Sequence, residues 1–442
     1  MIGSRLLYIL LALGIVPFAL GQVHPAMHTL GLAYDAVLLT LFCIDYQLTQ
    51  RPSLIAASRL VDERLSIGRS NSVIINVTNN GAGKLQVKLR DDYPQDLESD
   101  TEEFEFQLNA QSVSTLEYRL TPRRRGAYRF GNITIRYLSF IGLFWRQHVV
   151  KSPQEVKVYS DLKTLYDLSI KLAQSTELGE LHQRKRGQGT DFASLREYTS
   201  GDDTKAIDWK ATARRDRPVV RTYEAEQEQR LLILLDAGRM MVSDLEGLTR
   251  FDHALNAALC LALTGLSHND QVGIGAFADR PIMYLPPRRG KAYMRSILEN
   301  TFSLEPKMLE PDYIGMLSYF ASAQKGRSLI AVLTDLTDPT GSQALLAGLA
   351  SLSSRHLPFC ITLKDRQVIK VSKAQKLPEA TGNEQTMSSL YRRAIATDLL
   401  EQRELALSVL QRRGCMVLDC PPQELSGKIV EAYLDIKTRA RL

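Results

Sequence analysis

A chain of 442 residues, 44% hydrophobic and 24% charged, is sized for about two or three folded units, and this composition excludes a disordered chain, a collagen-like repeat and a fully membrane-embedded transporter. Its 55 basic and 49 acidic residues leave a net charge of +6, too balanced for a dedicated nucleic-acid binder but compatible with an anionic membrane surface. Five cysteines form no Cys-x-x-Cys pair, which indicates neither a disulfide framework nor a zinc site and fits a reducing compartment.

Residues 1–50 read as a membrane hairpin. A charge-free apolar run from Leu6 to Leu20 is followed, after a short break, by a second run from Thr29 to Ile44 interrupted by Asp35. The first run covers only about 22 Å as a helix, so it must borrow flanking residues, with Arg5 snorkelling, to cross a hydrocarbon layer of about 30 Å. Ala19-Leu20-Gly21 also resembles a signal-peptide cleavage site. The immediately following second run favours two transmembrane helices. Arg5 lies before the runs, and Arg51, Arg59 and Arg64 lie after them, with no Lys or Arg between the spans. By the positive-inside rule both ends, and the soluble domains, are expected in the cytoplasm, as for a two-pass protein of the inner membrane. Asp35 is expected to face the other helix as a polar tie.

Residues 53–160 alternate with period two. Ser72–Thr78 and Leu85–Leu89, separated by Asn79-Asn80-Gly81, predict a hairpin. Further strands at 103–108, 114–120, 131–137 and 156–159 predict a small antiparallel β-sandwich domain. The glycosylation patterns at Asn76 and Asn132 fall inside strands and read as chance matches.

Residues 161–229 form a linker and a charged signature. Between 181 and 230 there are 11 basic and 9 acidic residues. Phe192, Tyr198 and Trp209 are interspersed with glycine turns, which predicts an ion-paired network pinned to the next domain by aromatic anchors. Arg196, Tyr198, Gly201, Asp202, Asp203, Asp208, Trp209 and Arg214 are the candidate partner-binding residues. Gly187-Gln188-Gly189 lacks the Gly-Lys-Ser/Thr ending of a phosphate-cradling loop.

From residue 230 to 442 strands alternate with helices. Strands are predicted at 231–236, 271–278, 328–335, 358–363 and 415–418, and helices at 250–266, 342–353, 387–412 and from 423. This predicts an α/β domain with a parallel sheet covered on both faces. Ligands of such sheets bind at the carboxyl ends of the strands, where Asp236 and Asp335 fall. His253 is expected to be a hydrogen-bonded packing residue.

The stretch from Gly187 to Tyr223 resembles the hallmark of the domain-of-unknown-function 58 (DUF58) family. The likeness continues through Leu234–Met241, Asp252–Ala258, Leu285–Gly290 and Tyr433-Leu434, and the spans and β segment resemble that family's long, membrane-anchored form. The last domain resembles the von Willebrand factor A fold, whose edge loops form a metal-ion-dependent adhesion site beginning Asp-x-Ser-x-Ser. Here Asp236 is kept, Gly238 and Met240 stand where the two serines would be, Asp335 is kept, and Asp312 falls near the place of the threonine. The resemblance thus implies Mg²⁺ on Asp236, Asp335 and Asp312 as a possible cofactor, with no other.

The family is typically encoded beside MoxR-type AAA+ ATPases. The resemblance therefore implies a non-enzymatic, membrane-anchored adaptor, partner of such an ATPase in assembly, maturation or envelope stress, with the lipid bilayer as a second partner and no nucleic acid. Two alternatives stay open: a metal-dependent hydrolase using Asp202, Asp203 or Asp208, and an exported adhesion protein should the first run be a signal peptide.

Overall fold

The computed structural model describes residues 1–20, 26–179, 186–199, 204, 207–215, 217–224, 229–336, 339–373 and 383–438. The chain divides into two compact units, Met1–Asp161 and Leu162–Leu442.

In the first unit, β1 (Ile2–Gly3) leads into helices α1 (Arg5–Leu20) and α2 (Ala26–Leu48). Eleven strands follow: β2 (Ile55–Val61), β3 (Arg64–Ser66), β4 (Asn71–Asn79), β5 (Leu85–Asp91), β6 (Leu97–Ser99), β7 (Phe104–Leu108), β8 (Ser112–Pro122), β9 (Gly126–Phe130), β10 (Ile133–Leu138), β11 (Phe144–Val150) and β12 (Gln154–Tyr159). They form sheets ordered β1-β11-β10-β5-β7, β2-β4-β8-β6 and β3-β12-β9. All pairs are antiparallel except β3 with β12. Alternate residues of β4 and β5 are buried, as one-sided sheets require.

The expected hairpin between β4 and β5 does not form. β4 pairs with β2 and β8, while β5 pairs with β10 and β7, in a different sheet. The Asn79 side chain, fully buried, explains the crossing: its Oδ1 accepts from the Gly81 N–H and its Nδ2 donates to the carbonyls of Gly83 and Asn109. These side-chain bonds hold the chain where it leaves the end of β4 for the other sheet. The two sheets are tied across the core by Asp91 of β5, which pairs with Arg59 of β2 and accepts a hydrogen bond from Tyr118 of β8 at 2.5 Å. Arg59 also donates to Ser152 O and Gly131 O and lies over the Phe130 ring. It is a core ion, so it adds nothing to the exposed positive charge that the sequence counts beside the hairpin.

Among the described residues one helix, α2 with the turn after it, is long and apolar enough to cross a membrane, and α1 is apolar but shorter. The two helices meet through small residues. A Cβ on Gly14 of α1 would stand 3.1 Å from the Tyr34 ring and 3.2 Å from the Asp35 carboxylate, so Asp35 does face the other helix. Tyr34 donates to the Leu10 carbonyl at 2.9 Å. The outer faces carry exposed Tyr8, Ile15, Leu32, Val37 and Leu39.

The second unit opens with α3 (Leu162–Gly179), β13 (Arg186–Glu197), α4 (Trp209–Arg215) and β14 (Val219–Glu224). Its α/β part comprises β15 (Arg230–Asp236), β16 (Asp244–Leu245), β17 (Leu248–Thr249), α5 (Arg250–Ser267), β18 (Gln271–Phe277), β19 (Pro281–Arg288), α6 (Tyr293–Thr301), α7 (Tyr313–Ser322), β20 (Leu329–Thr334), α8 (Pro339–Leu352), β21 (Leu357–Leu363), α9 (Arg366–Lys373), α10 (Asn383–Arg412), β22 (Met416–Cys420) and α11 (Pro422–Thr438). The six-stranded sheet runs β19-β18-β15-β20-β21-β22. All its neighbours are parallel except β19, which lies antiparallel on the edge.

This doubly wound order places β15 and β20 at the centre, where the chain reverses direction across the sheet. Every residue of β20 is buried, as are all of β15 but the first. That is why their sequences are continuous apolar runs instead of alternating ones. One face packs on α5 and α11 through Leu255, Leu259, Ile429 and Tyr433, and the other on α7 and α8 through Leu317, Phe320, Leu345 and Leu349. The parallel sheet covered on both faces that the sequence predicts is therefore what the chain adopts, with β19 added antiparallel on one edge. Edge strand β19 escaped the sequence reading because Pro286 and Pro287 break its pattern, and prolines are tolerated only where a backbone N–H is not needed.

Candidate functional site

The carboxyl ends of four successive parallel strands each deliver an aspartate. Asp236 ends β15, Asp335 follows β20, Asp365 lies two residues beyond β21, and Asp419 is the penultimate residue of β22. The chemistry at this edge is decided by what already fills it.

Asp236 is fully buried. Its Oδ1 accepts from the Gly238 N–H at 2.8 Å, and its Oδ2 accepts from Thr334 Oγ1 at 2.6 Å and Tyr313 Oη at 2.7 Å. Burial pushes its carboxyl above the ordinary range, against the downward pull of these three donors. The Tyr313 hydroxyl is pushed up in turn, by burial first and by the Asp236 charge second.

Asp335 sits between two arginines. Arg250, the first residue of α5, pairs with Oδ2, and Arg403, from the middle of α10, donates to Oδ1 at 2.7 Å. The Leu336 N–H also donates to Oδ1 at 2.8 Å. Arg250 reaches Ser243 Oγ at 2.8 Å and Asp365 at 3.3 Å. Arg403 Nη2 donates to Asp419 at 2.8 Å and to the Leu363 carbonyl at 2.7 Å, while its Nε is buried without a partner. Burial opposes the charge on Arg403, but the carboxylates of Asp335 and Asp419 outweigh it and hold the guanidinium protonated. Capping fixes the position of Arg250: Thr249 Oγ1 accepts from the Asp252 N–H at 3.1 Å, and the Asp252 side chain closes the box.

Asp312, the third expected metal ligand, is the N-cap of α7 and accepts from the Gly315 N–H at 2.9 Å. Arg239, just past β15, pairs with Glu310 at 3.1 Å. His253 binds the Leu245 carbonyl at 2.8 Å, as a packing residue.

The residues present do not fit a Mg²⁺ site. Mg²⁺ wants about six oxygens in octahedral geometry. Here the oxygens of Asp236 and Asp335 are taken by protein donors, the Asp312 carboxylate caps a helix, and two guanidiniums supply the positive charge. Among the described residues no cluster of three His, Cys, Asp or Glu side chains is arranged to hold a metal ion. The sequence missed Arg250, Arg403, Asp365 and Asp419. Only the aspartates had a signal, their position at strand ends; the arginines are recruited from helices remote in sequence.

The charged signature forms a second constellation. β13 and β14 pair antiparallel, with irregular register at Arg186/Asp191 and Phe192/Ser194, and α4 lies between them in the chain. Asp208 caps α4: its Oδ1 accepts from the N–H groups of Lys210 at 3.0 Å and Ala211 at 3.1 Å, and its own N–H donates to the Val219 carbonyl. Thr212 Oγ1 accepts from the Val219 N–H, so both backbone groups of Val219 are tied to the helix and its cap. Tyr198, half-buried, donates its N–H to the Pro218 carbonyl. Arg196 donates to Thr199 Oγ1 at 2.8 Å, and Arg217 pairs with Glu197 at 3.2 Å. Arg214 is exposed. Gly201, Asp202 and Asp203 lie outside the described residues.

Trp209 corrects the sequence reading. Expected as an anchor driven into the next domain, its side chain is 71% exposed, on the first residue of α4. The helix is held by Asp208 and Thr212, which leaves the indole free of a packing duty.

A family described as protein of unknown function DUF58 matches residues 194–405. That segment belongs to the DUF58 family. It takes in α4, β14, both arginines of the strand-end network and Asp236, Asp312, Asp335 and Asp365, whereas the helical hairpin and β-rich unit lie outside it. Among curated proteins, the uncharacterized protein Rv1480 of Mycobacterium tuberculosis is 20% identical over 187 residues, 42% of this chain and 58% of that one. The uncharacterized protein YeaD of Bacillus subtilis is 25% identical over 131 residues, 28% of this chain and 31% of that one. The matched stretches thus span under two thirds of these relatives. Among solved structures, the SpRpn10 VWA domain aligns with 46% of this chain and 95% of its own, at 14% identity and a TM-score of 0.30. An aerotolerance-related membrane protein of Bacteroides fragilis aligns with 48% and 99%, at 15% identity and a TM-score of 0.29.

Proposed function

We propose that this protein is a membrane-anchored adaptor that binds another protein through the DUF58 signature, and that it does so without catalysis of its own. The observation that carries the reading is Trp209: an indole 71% exposed, on a helix clamped by Asp208 and Thr212 and beside the exposed Lys210 and Arg214. A large exposed aromatic on a rigid support, flanked by cations, is the composition of a protein-binding hot spot awaiting its pocket. The partner it suits is acidic around an apolar recess.

By family kinship the partner is a MoxR-type AAA+ ATPase acting in assembly, maturation or envelope stress. The strand-end crevice of the α/β domain supports this role as a scaffold: Asp335 is held by two arginines and Asp236 by Thr334, Tyr313 and the Gly238 N–H. The hydrolase alternative loses one of its candidates, since the Asp208 carboxylate serves as a helix cap. The bilayer is the second partner, through α1 and α2, with the soluble parts in the cytoplasm. The apolar outer faces of both helices support the contact with lipid, and the arginines outside both apolar runs support the cytoplasmic side.

The test is capture of the cognate MoxR-type ATPase by the purified full chain in nanodiscs, with and without nucleotide and Mg²⁺. Association weakened by Trp209→Ala is expected; no association under any condition overturns the reading. Protease accessibility of the second unit in intact cells tests the side: cleavage from outside overturns the cytoplasmic placement and favours an exported protein.

A further inference from the structure

The turn between β10 and β11, residues Ser139–Leu143, is fastened to both helices of the hairpin at their base. Asp45, in the last turn of α2 and fully buried, accepts from the Ile141 N–H at 2.7 Å and the Leu143 N–H at 3.2 Å. Thr49 Oγ1 accepts from the Phe140 N–H at 3.3 Å. On the other side, the Ser4 N–H donates to the Leu143 carbonyl at 3.0 Å, and Ser4 caps α1 by accepting from the Leu7 N–H at 3.2 Å. β1, immediately before α1, pairs with the first residues of β11. Phe144, buried, packs on Phe42 and Tyr46 of α2 at ring-centroid distances of 5.3 and 6.3 Å. Tyr137 and Arg146 donate to the Gln50 carbonyl just past α2. The N–H groups of Phe140, Ile141 and Leu143 and the Leu143 carbonyl are thus tied to residues at the helix ends.

Yet the turn directs its bulkiest side chain away from all of this. Phe140 is 75% exposed, the most exposed large hydrophobic residue of the described chain, and Ile141 beside it is 39% exposed. Gly142, at φ +97°, supplies the left-handed step that brings the chain back into β11. The exposed Arg5 and Arg51 stand at the two helix ends beside the turn, and Arg146 stacks over Tyr46 at 5.2 Å. An exposed aromatic on a turn bonded to Ser4, Asp45 and Thr49, with Arg5 and Arg51 one and two residues along the chain from Ser4 and Thr49, has the composition of the bilayer's interfacial layer.

We infer that the Ser139–Leu143 turn is an interfacial anchor: Phe140 and Ile141 enter the headgroup and upper acyl layer of an anionic bilayer beside the hairpin. The β-rich unit is thereby seated on the membrane surface in one orientation instead of swinging from a tether. The occupant is lipid because the turn is bonded to Asp45 and Thr49 at the end of α2, where Ile44, Tyr46 and Leu48 end the helix's exposed apolar residues, so Asp45 sets the height of the turn at the end of that band. The inference rests on the membrane reading of α1 and α2.

The experiment uses the full chain carrying Cys43→Ser, which removes the exposed cysteine, the other four being buried. Single cysteines are placed by Phe140→Cys, by Leu39→Cys on the outer face of α2, and by Val113→Cys on the exposed face of β8. Each is spin-labelled in phosphatidylcholine/phosphatidylglycerol nanodiscs, and collision with oxygen is compared with collision with an aqueous nickel chelate. Expected is a several-fold higher oxygen-to-nickel ratio at 140 than at 113, with 39 higher still. Position 140 matching 113 while 39 stays buried in lipid overturns the anchor and leaves the membrane reading standing. Position 39 matching 113 overturns the membrane reading and the anchor together.

Discussion

Arg403 of α10 donates to Asp335 at 2.7 Å, so a residue from the middle of a thirty-residue helix neutralises the carboxylate that ends the central strand β20. With Arg250 on the other oxygen, Asp335 joins α5 and α10 to the sheet edge. The positive charge at this edge is supplied by two guanidiniums.

Asp335→Asn removes the charge that both buried arginines share, and it should cost about 3–5 kcal/mol, the range for breaking a buried pair from one side. Amide exchange of the β20 residues across a urea series measures this within the second unit. Saturating Mg²⁺ or a chelator should leave the same transition unmoved. A variant within experimental error of the parent, or a chelator-dependent loss of stability, contradicts the assignment.

In the β-rich unit, Asp91 carries Arg59 and Tyr118 at once. Tyr118→Phe removes one hydrogen bond to a charged group, worth about 1.5–3 kcal/mol. Asp91→Leu strands a buried guanidinium and should cost more, about 3–5 kcal/mol, whereas adding Arg59→Met to it should recover part of the loss. A double-mutant cycle on denaturation midpoints would show additive effects if the two residues were not coupled in this way.

His356 gives the second unit a pH-dependent weakness. Its side chain is 3% exposed and neither ring nitrogen has a partner. Burial, and then the Arg355 charge, hold its pKa below the ordinary 6.5. The unfolded chain therefore takes a proton that the folded chain refuses. The stability that depends on neutral His356 is complete above about pH 6.5 and drains away as the pH falls from there toward the folded pKa. His356→Phe should flatten the stability profile in that window. A parent and variant with parallel profiles would mean that the imidazole does not titrate differently on folding.

Trp209→Ala should change unfolding by less than about 0.5 kcal/mol, because an exposed side chain has little packing to lose, while cutting partner capture at least tenfold, as a hot-spot truncation of about 2 kcal/mol does. Equal losses of stability and capture would return Trp209 to the role of a structural anchor.

How much of this was legible beforehand depended on the range of the interactions. The α/β alternation, the buried central strands at 231–236 and 328–335, the apolar hairpin and the strand-end aspartates are written in local periodicity, since burial on two faces demands continuous apolar runs and lipid demands long ones. Sequence also placed Asp35 against its neighbouring helix, because a carboxylate in an apolar span has few other tolerable positions.

Pairing was beyond its reach. Asn79-Asn80-Gly81 has the composition of a hairpin turn, but which sheet β5 joins is settled by β10 and β7, and by the buried Asn79 bonds that hold the crossing. The partners of Asp335 lie 85 and 68 residues away, and only folding makes those arginines its neighbours. Trp209 shows the converse: an aromatic in a charged stretch suggests an anchor, yet exposure depends on whether another surface arrives to cover it. Composition and period thus determined the layers of this protein, because they report each segment's own contact with water or lipid. Tertiary structure alone decided which charges meet, because ion pairing acts through space and leaves no periodic trace in the chain.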